Sequence, residues 1–229
     1  MLRLVAPELP SDRTFDDRMP EDLRACSGQH WTPLAVAARA AEWLDAAGAR
    51  TVVDVGCGAG KFCVAVALAG KATVIGFEQR AHLVAATRDL AADFGVADRV
   101  SVVHGALGST PLPVADAYYL FNPFGENLFD SDERVDDEVE LGVERYVRDI
   151  ITMERYLDHA PIGTLVITYN GFGGRLPEGY VEERVDHELP RVLRMSRKVA
   201  DAPITEPPPS RTPDRALDRS RRARRRAGR

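Results

Sequence analysis

An apolar run that breaks into alternating glycines, Val52-Val53-Asp54-Val55-Gly56-Cys57-Gly58-Ala59-Gly60, constrains this chain more than any other stretch. The run ending at Val55 reads as a buried parallel strand, and the segment from Lys61 to Ala69, with Phe62, Val64, Ala65 and Leu68, reads as a helix. Strand, tight turn and helix start fall in one window. Glycines in such a turn let the main chain approach a ligand where any Cβ would intrude. Open α/β sheets bind ligands outside the carboxyl ends of their strands, which is where this turn belongs.

Spacing narrows the ligand. The dinucleotide pattern G-x-G-x-x-G is missed because the third glycine, Gly60, arrives one residue early. The phosphate-loop pattern G-x-x-x-x-G-K-[ST] fails at both ends, with Val55 at the first glycine position and Phe62 after Lys61. A second apolar run, Ala72-Thr73-Val74-Ile75-Gly76-Phe77, reads as a strand that delivers Glu78. A carboxylate there can accept two ribose hydroxyls. These features together describe a nucleoside site without a pyrophosphate anchor.

Residues 52–105 resemble the class I S-adenosylmethionine-dependent methyltransferases. Their first motif, an acid two residues before G-x-G-x-G, is matched by Asp54, Gly56, Gly58 and Gly60, and their ribose acid by Glu78. The run Phe94-Gly95-Val96-Ala97-Asp98-Arg99-Val100-Ser101-Val102-Val103 resembles their turn into the third strand. The acid or amide that many members carry just beyond it is missing, His104-Gly105-Ala106-Leu107 standing there, so backbone at Gly105 and Ala106 is left to meet the adenine. The resemblance implies S-adenosyl-L-methionine as cofactor. It also implies a three-layer Rossmann-like α/β fold with a mostly parallel seven-stranded sheet and an antiparallel C-terminal hairpin. A Rossmann-like domain for another nucleotide is the plainer alternative.

Ahead of the glycine turn, Thr32 and Pro33 read as a helix start, the hydroxyl capping free amides and the proline at the first helical position. That helix should run to about Ala47 and end at Gly48. Gln29-His30-Trp31-Thr32-Pro33 also resembles the G-Q-x-x-T-P motif of some amino-directed DNA methyltransferases, which implies that His30 and Thr32 sit by the methionine end of the cofactor.

The acceptor side should follow the apolar run Ala117-Tyr118-Tyr119-Leu120-Phe121, a fourth strand delivering Asn122-Pro123-Phe124-Gly125-Glu126-Asn127 to the carboxyl edge. Asn122-Pro123-Phe124 resembles the [DN]-P-P-[YF] motif of amino-methylating relatives with one proline fewer. Asn122 and Phe124 are the expected catalytic pair, because an amide can accept from one acceptor hydrogen and donate as well. His30, Glu126 and His104 are the candidate bases, needed only where the acceptor arrives protonated.

Residues 130–140 carry seven acids against Arg134 and read as a solvated loop passing into a helix that ends near His159, with Val139, Val143, Tyr146, Val147, Ile150 and Met153 as its apolar stripe. A fifth strand is expected over 164–169, a glycine-rich loop at 170–174, and antiparallel strands over 180–187 and 191–199.

At 229 residues and 45% hydrophobic, the chain has length for one sizeable core. The expected layout is an N-terminal extension (1–26), a methyltransferase domain (27–204) and a disordered Arg-rich tail (205–229). That tail has nine arginines against Glu206, Asp214 and Asp218; with −5 on the whole chain, the remainder carries −11. The acidic body disfavours a polyanion, so a small molecule or protein side chain is the expected substrate. Nucleic-acid N-methylation, with binding through the tail, is the alternative, and a noncatalytic nucleotide- or partner-binding module is the third reading. No target-recognition domain fits in the length. No apolar run reaches membrane-span length and no h-region opens the chain, so the expected partners include no membrane and the expected compartment is the cytoplasm. Cys26, Cys57 and Cys63 lack C-x-x-C spacing and a histidine pair, so no metal is expected and the thiols should be free.

Overall fold

A computed structural model describes residues 9–201; the expected Arg-rich tail lies outside the described residues. Three short helices, α1 (Asp12–Asp16), α2 (Glu21–Ala25) and α3 (Ser27–His30), precede α4 (Leu34–Ala47). Then come β1 (Thr51–Val55), α5 (Lys61–Ala69), β2 (Thr73–Glu78), α6 (Ala81–Asp93), β3 (Val100–His104) and β4 (Ala117–Leu120). The order closes with α7 (Val143–His159), β5 (Leu165–Tyr169), β6 (Tyr180–Asp186) and β7 (Leu193–Lys198).

The seven strands form one sheet in the order β3-β2-β1-β4-β5-β7-β6. β1 to β5 pair in parallel, and β7 lies antiparallel between β5 and β6. This is the sheet the resemblance implied. Alternating side chains divide the core between its two faces. Val52, Val74, Ala117, Tyr119 and Ile167 pack with residues of α4 and α5, while Val53, Val55, Tyr118, Leu120 and Val166 pack with Met153 and Leu157 of α7. No described helix is long and apolar enough to cross a membrane.

The N-terminal segment contributes to the core. Phe15 is fully buried and stacks on Phe94 with ring centroids 4.4 Å apart. Lys61, at the start of α5, is buried and places its ammonium 2.7 Å from both Asp12 and Asp16 and 3.0 Å from Ser27 Oγ. A buried ammonium is tolerated only when paired in this way. The pairing fixes α1 against the helix that follows the glycine turn.

Two local expectations need correcting. Pro33 is not inside the helix: it flanks α4 in extended backbone, and Thr32 does not cap it. The Thr32 hydroxyl instead turns inward to Tyr119 Oη at 3.0 Å, because Tyr119 stacks on Phe62 in the core and its hydroxyl needs a partner there. Asp12 Oδ1 accepts from the Leu34 N–H in its place. The far end of α4 does stop at Gly48, in left-handed backbone. The acidic stretch is loop with one 3-10 turn (Ser131–Glu133), as expected, but the helix after it begins only at Val143 and leaves Val139 outside. Its stripe is rotated from the expected one. Val143 and Val147 are 66% and 48% exposed, whereas Met153 and Leu157 are buried with Tyr146 and Ile150 packed behind them.

Candidate functional site

The carboxyl ends of the parallel strands open into a cleft of about 620 Å³. Its β1–β2 side is lined by Gly56, Gly58, Glu78, Gln79 and, beyond β3, Gly105 and Ala106. Its β4–β5 side is lined by Phe121, Asn122, Pro123, Phe124 and Glu126, and His30 and Trp31 close the end near α4. The glycines have a geometric reason. Gly58 has φ +56°, and a Cβ on it would overlap the Trp31 ring. At Gly56, with φ +74°, a Cβ would lie 3.1 Å from Pro123 Cβ. Any side chain at these positions would disturb the wall between the two halves of the cleft.

Glu78 is buried and engaged on both oxygens. Oε2 accepts from Gly58 N–H at 3.0 Å, and Oε1 accepts from Gln79 and Arg80 N–H at 2.8 and 2.9 Å. Three of about four lone-pair sites on the carboxylate are therefore filled, and the open one is on Oε2. Burial raises its pKa, and the three N–H groups oppose that shift.

The cleft suits an adenosyl sulfonium: close-approaching main chain and a ribose-competent carboxylate at one end, polar groups on an aromatic wall at the other. Residues 52–135 match the family model described as a methyltransferase domain. The match covers the strand–turn–helix core of the cleft, and the sheet order is that of the class I methyltransferase fold. Solved structures share its fold. An RNA methyltransferase from Salinibacter ruber, solved with S-adenosyl-L-homocysteine, superposes at a TM-score of 0.53 with 20% identity, covering 77% of this chain and 99% of its own. A putative O-methyltransferase from Klebsiella pneumoniae gives a TM-score of 0.53 at 16% identity over 86% and 94%. TrmN from Thermus thermophilus gives 0.52 at 17% identity, over 77% of this chain and 52% of its own. No curated protein sequence matches.

Not every expected residue lines the cleft. Asp54, Gly60 and Thr32 lie outside its lining: Gly60 packs against Thr87, and Asp54 is buried beneath the glycine turn. The Asp54 carboxyl accepts from the Cys63 thiol at 3.5 Å, and burial pushes its pKa up to about 7, opposed by that hydrogen bond and assisted by the charge of Glu78. Cys57 and Cys63 are buried free thiols, raised above the ordinary thiol pKa by their surroundings.

A buried acid with a raised pKa sets the sign of a pH dependence. The folded state binds the Asp54 proton more tightly than the unfolded state, whose value is near 3.8. Its contribution to stability is therefore complete below about pH 4 and is lost as pH rises through about 7, by up to ~1.4 kcal/mol per pH unit. Urea denaturation should show stability falling across that window. In Asp54→Asn the Asp54 part of the slope should vanish, and an unchanged slope would show that this carboxyl does not carry it.

The candidate bases divide clearly. Glu126 is committed to Arg80, with Nη1 to Oε2 and Nη2 to Oε1, each at 2.9 Å. His104 is exposed and pairs through Nε2 with Gln79 O at 3.0 Å. His30 lines the cleft, its Nε2 3.1 Å from Glu133 O, so Nε2 bears the hydrogen and Nδ1 keeps a lone pair. Burial, chiefly, lowers the His30 pKa. Asn122 sits at the cleft in left-handed backbone, φ 41°, with its side chain against Gly125.

The residue that sequence reading missed is Arg80. Only 4% of its side chain is exposed, yet it grips Glu126 with both terminal nitrogens and Asp136 Oδ1 with Nε at 2.8 Å. Its own N–H bonds Glu78, so one residue joins the β2 acid to the loop after β4. Glu126 Oε1 also accepts from Val135 N–H at 2.8 Å, which pins the acidic segment in place. An arginine two residues after Glu78 was the available signal, but nothing in the sequence paired it with acids 46 and 56 positions away.

One group among the described residues, His82, Asp136 and Glu138, brings potential metal ligands together. Its two ring nitrogens face different carboxylates, Nδ1 to Glu138 at 3.1 Å and Nε2 to Asp136 at 3.4 Å, and Asp136 is shared with Arg80. Only the Glu138 contact is a hydrogen bond; Asp136 Oδ2 has no hydrogen-bond partner among the described residues, and Asp136 is engaged through Oδ1 with Arg80.

Proposed function

We propose that this chain is an S-adenosylmethionine-dependent methyltransferase that methylates an oxygen or nitrogen of a small molecule, with Asn122 orienting the acceptor and His30 receiving its proton. The observation that carries the reading is the division of the cleft: glycine main chain and Glu78 over β1 and β2, a free carboxamide and aromatic rings over β4 and β5. Bound S-adenosylmethionine supplies an electrophilic methyl group on a sulfonium, whose departing bond leaves a neutral thioether. Holding the acceptor in line at about 3–3.5 Å then accounts for much of the rate. Asn122 can accept an acceptor N–H or O–H through Oδ1 and donate through Nδ2. As the new bond to carbon forms, the acceptor proton passes to His30 Nδ1, directly or through water.

A protein side chain is the companion reading and requires the same constellation. The acidic body argues against nucleic acid. Incubation with methyl-labelled donor and mixed pools of small hydroxy and amino compounds, peptides and RNA separates the possibilities. Label should enter the small-molecule pool; label confined to RNA or peptide would contradict the proposal. On the acceptor so found, Asn122→Ala should lower kcat/KM by about 100-fold, the scale of ~2.7 kcal/mol of lost orientation. Affinity for S-adenosyl-L-homocysteine should not change.

A further inference from the structure

The cleft wall beyond β4 has its own chemistry. Asn122 and Asn170 are the two non-glycine residues with positive φ among the described residues, at 41° and 60°, and both line the cleft. Asparagine tolerates that conformation better than most residues, yet such positions gather where a side chain must be aimed. The surrounding loops are stitched together: Asn122 N–H donates to Gly171 O at 2.9 Å, and Asn170 N–H donates to Val192 O at 3.1 Å. These bonds join the loops after β4 and β5 to the segment entering β7. On that wall the half-buried Phe121 packs on the buried Tyr169 with ring centroids 4.9 Å apart, and the exposed Arg191 lines the same cleft.

Charge accounting sets Arg191 apart. Among cleft-lining cations, Arg80 is paired with Glu126 and Asp136, and Arg145 with Asp149 at 3.3 Å. Arg191 alone forms no ion pair among the described residues. A guanidinium fork matches a carboxylate in two-point contact. An apolar aromatic wall favours a flat ring.

Resting on the small-molecule reading above, we propose that the acceptor is a planar aromatic acid, its ring against Phe121 and its carboxylate held by Arg191 with Asn170 beside it. A single anionic group suits the site better than a polyanion, because Glu78, Glu126 and Asp149 share the same cleft.

The test uses the full chain saturated with S-adenosyl-L-homocysteine at constant pH. Benzoate, 4-hydroxybenzoate and 3,4-dihydroxybenzoate are titrated by calorimetry against their primary amides. At least one acid should bind about tenfold more tightly than its amide, and Arg191→Gln should reduce that preference to under threefold while leaving S-adenosyl-L-homocysteine affinity unchanged. Equal binding of acid and amide, no binding by any of the six, or a preference that survives in Arg191→Gln would each overturn the inference. Failure of S-adenosyl-L-homocysteine itself to bind would sink the methyl-transfer reading on which it rests, and is seen separately.

Discussion

Glu78→Ala should weaken binding of S-adenosyl-L-homocysteine by at least 100-fold. A hydrogen bond to a charged acceptor contributes about 1.5–3 kcal/mol, and a ribose offers two hydroxyls, so a loss of ~3 kcal/mol or more follows. The variant also frees three N–H groups, those of Gly58, Gln79 and Arg80, which loosens the turn against which the nucleoside would lie. Because only one acceptor site on Oε2 is open, engaging both hydroxyls requires the Gly58 N–H to give way. Hydrogen exchange at Gly58 should therefore change when the ligand binds. Calorimetry of wild type and variant checks the affinity, and a loss below tenfold would remove Glu78 from the ribose role.

Arg80→Met should be the most destabilising single change at the site. Removing the guanidinium leaves Glu126 and Asp136, 15% and 21% exposed, as unpaired and mostly buried carboxylates. Breaking one side of a buried ion pair costs about 3–5 kcal/mol. For a domain of this size that is a fall in Tm on the order of 10 °C. Adding Glu126→Gln should recover part of the loss, since one of the stranded charges is then gone. Thermal denaturation of the three proteins measures both effects, and a fall below about 2 °C for Arg80→Met would show that the network is not holding the loop after β4.

What the sequence disclosed follows from the range of the interactions involved. The strand–turn–helix at Val52 to Ala69 and the acid at Glu78 were legible because backbone preference and close approach act within a few residues. The sheet order followed from the resemblance and agrees with the structure, including the terminal hairpin. Local rules failed where a distant partner prevailed. Thr32 had every local qualification for a cap, but the buried hydroxyl of Tyr119, 87 positions away, claimed it. The helix after the acidic loop starts later than its expected stripe, leaving Val139 outside, because Arg80 and Asn127 hold that loop, Asn127 Oδ1 accepting from Gly142 N–H just before α7. Arg80 escaped notice for the same reason: its significance lies in Glu126 and Asp136, which only the fold brings to it. Asp54 shows the converse. The motif marked it as a cofactor-binding acid ahead of the turn, while the structure places it in β1 and outside the cleft lining, as a buried acid bonded to Cys63.

Calorimetric titration of S-adenosyl-L-homocysteine into the wild-type chain, with NAD and ATP as parallel titrants, tests the donor cleft most directly. Saturable one-to-one heat from S-adenosyl-L-homocysteine and none from the other two is the predicted result. No saturable heat, or comparable binding of NAD or ATP, would contradict the assignment of this cleft to an adenosyl sulfonium.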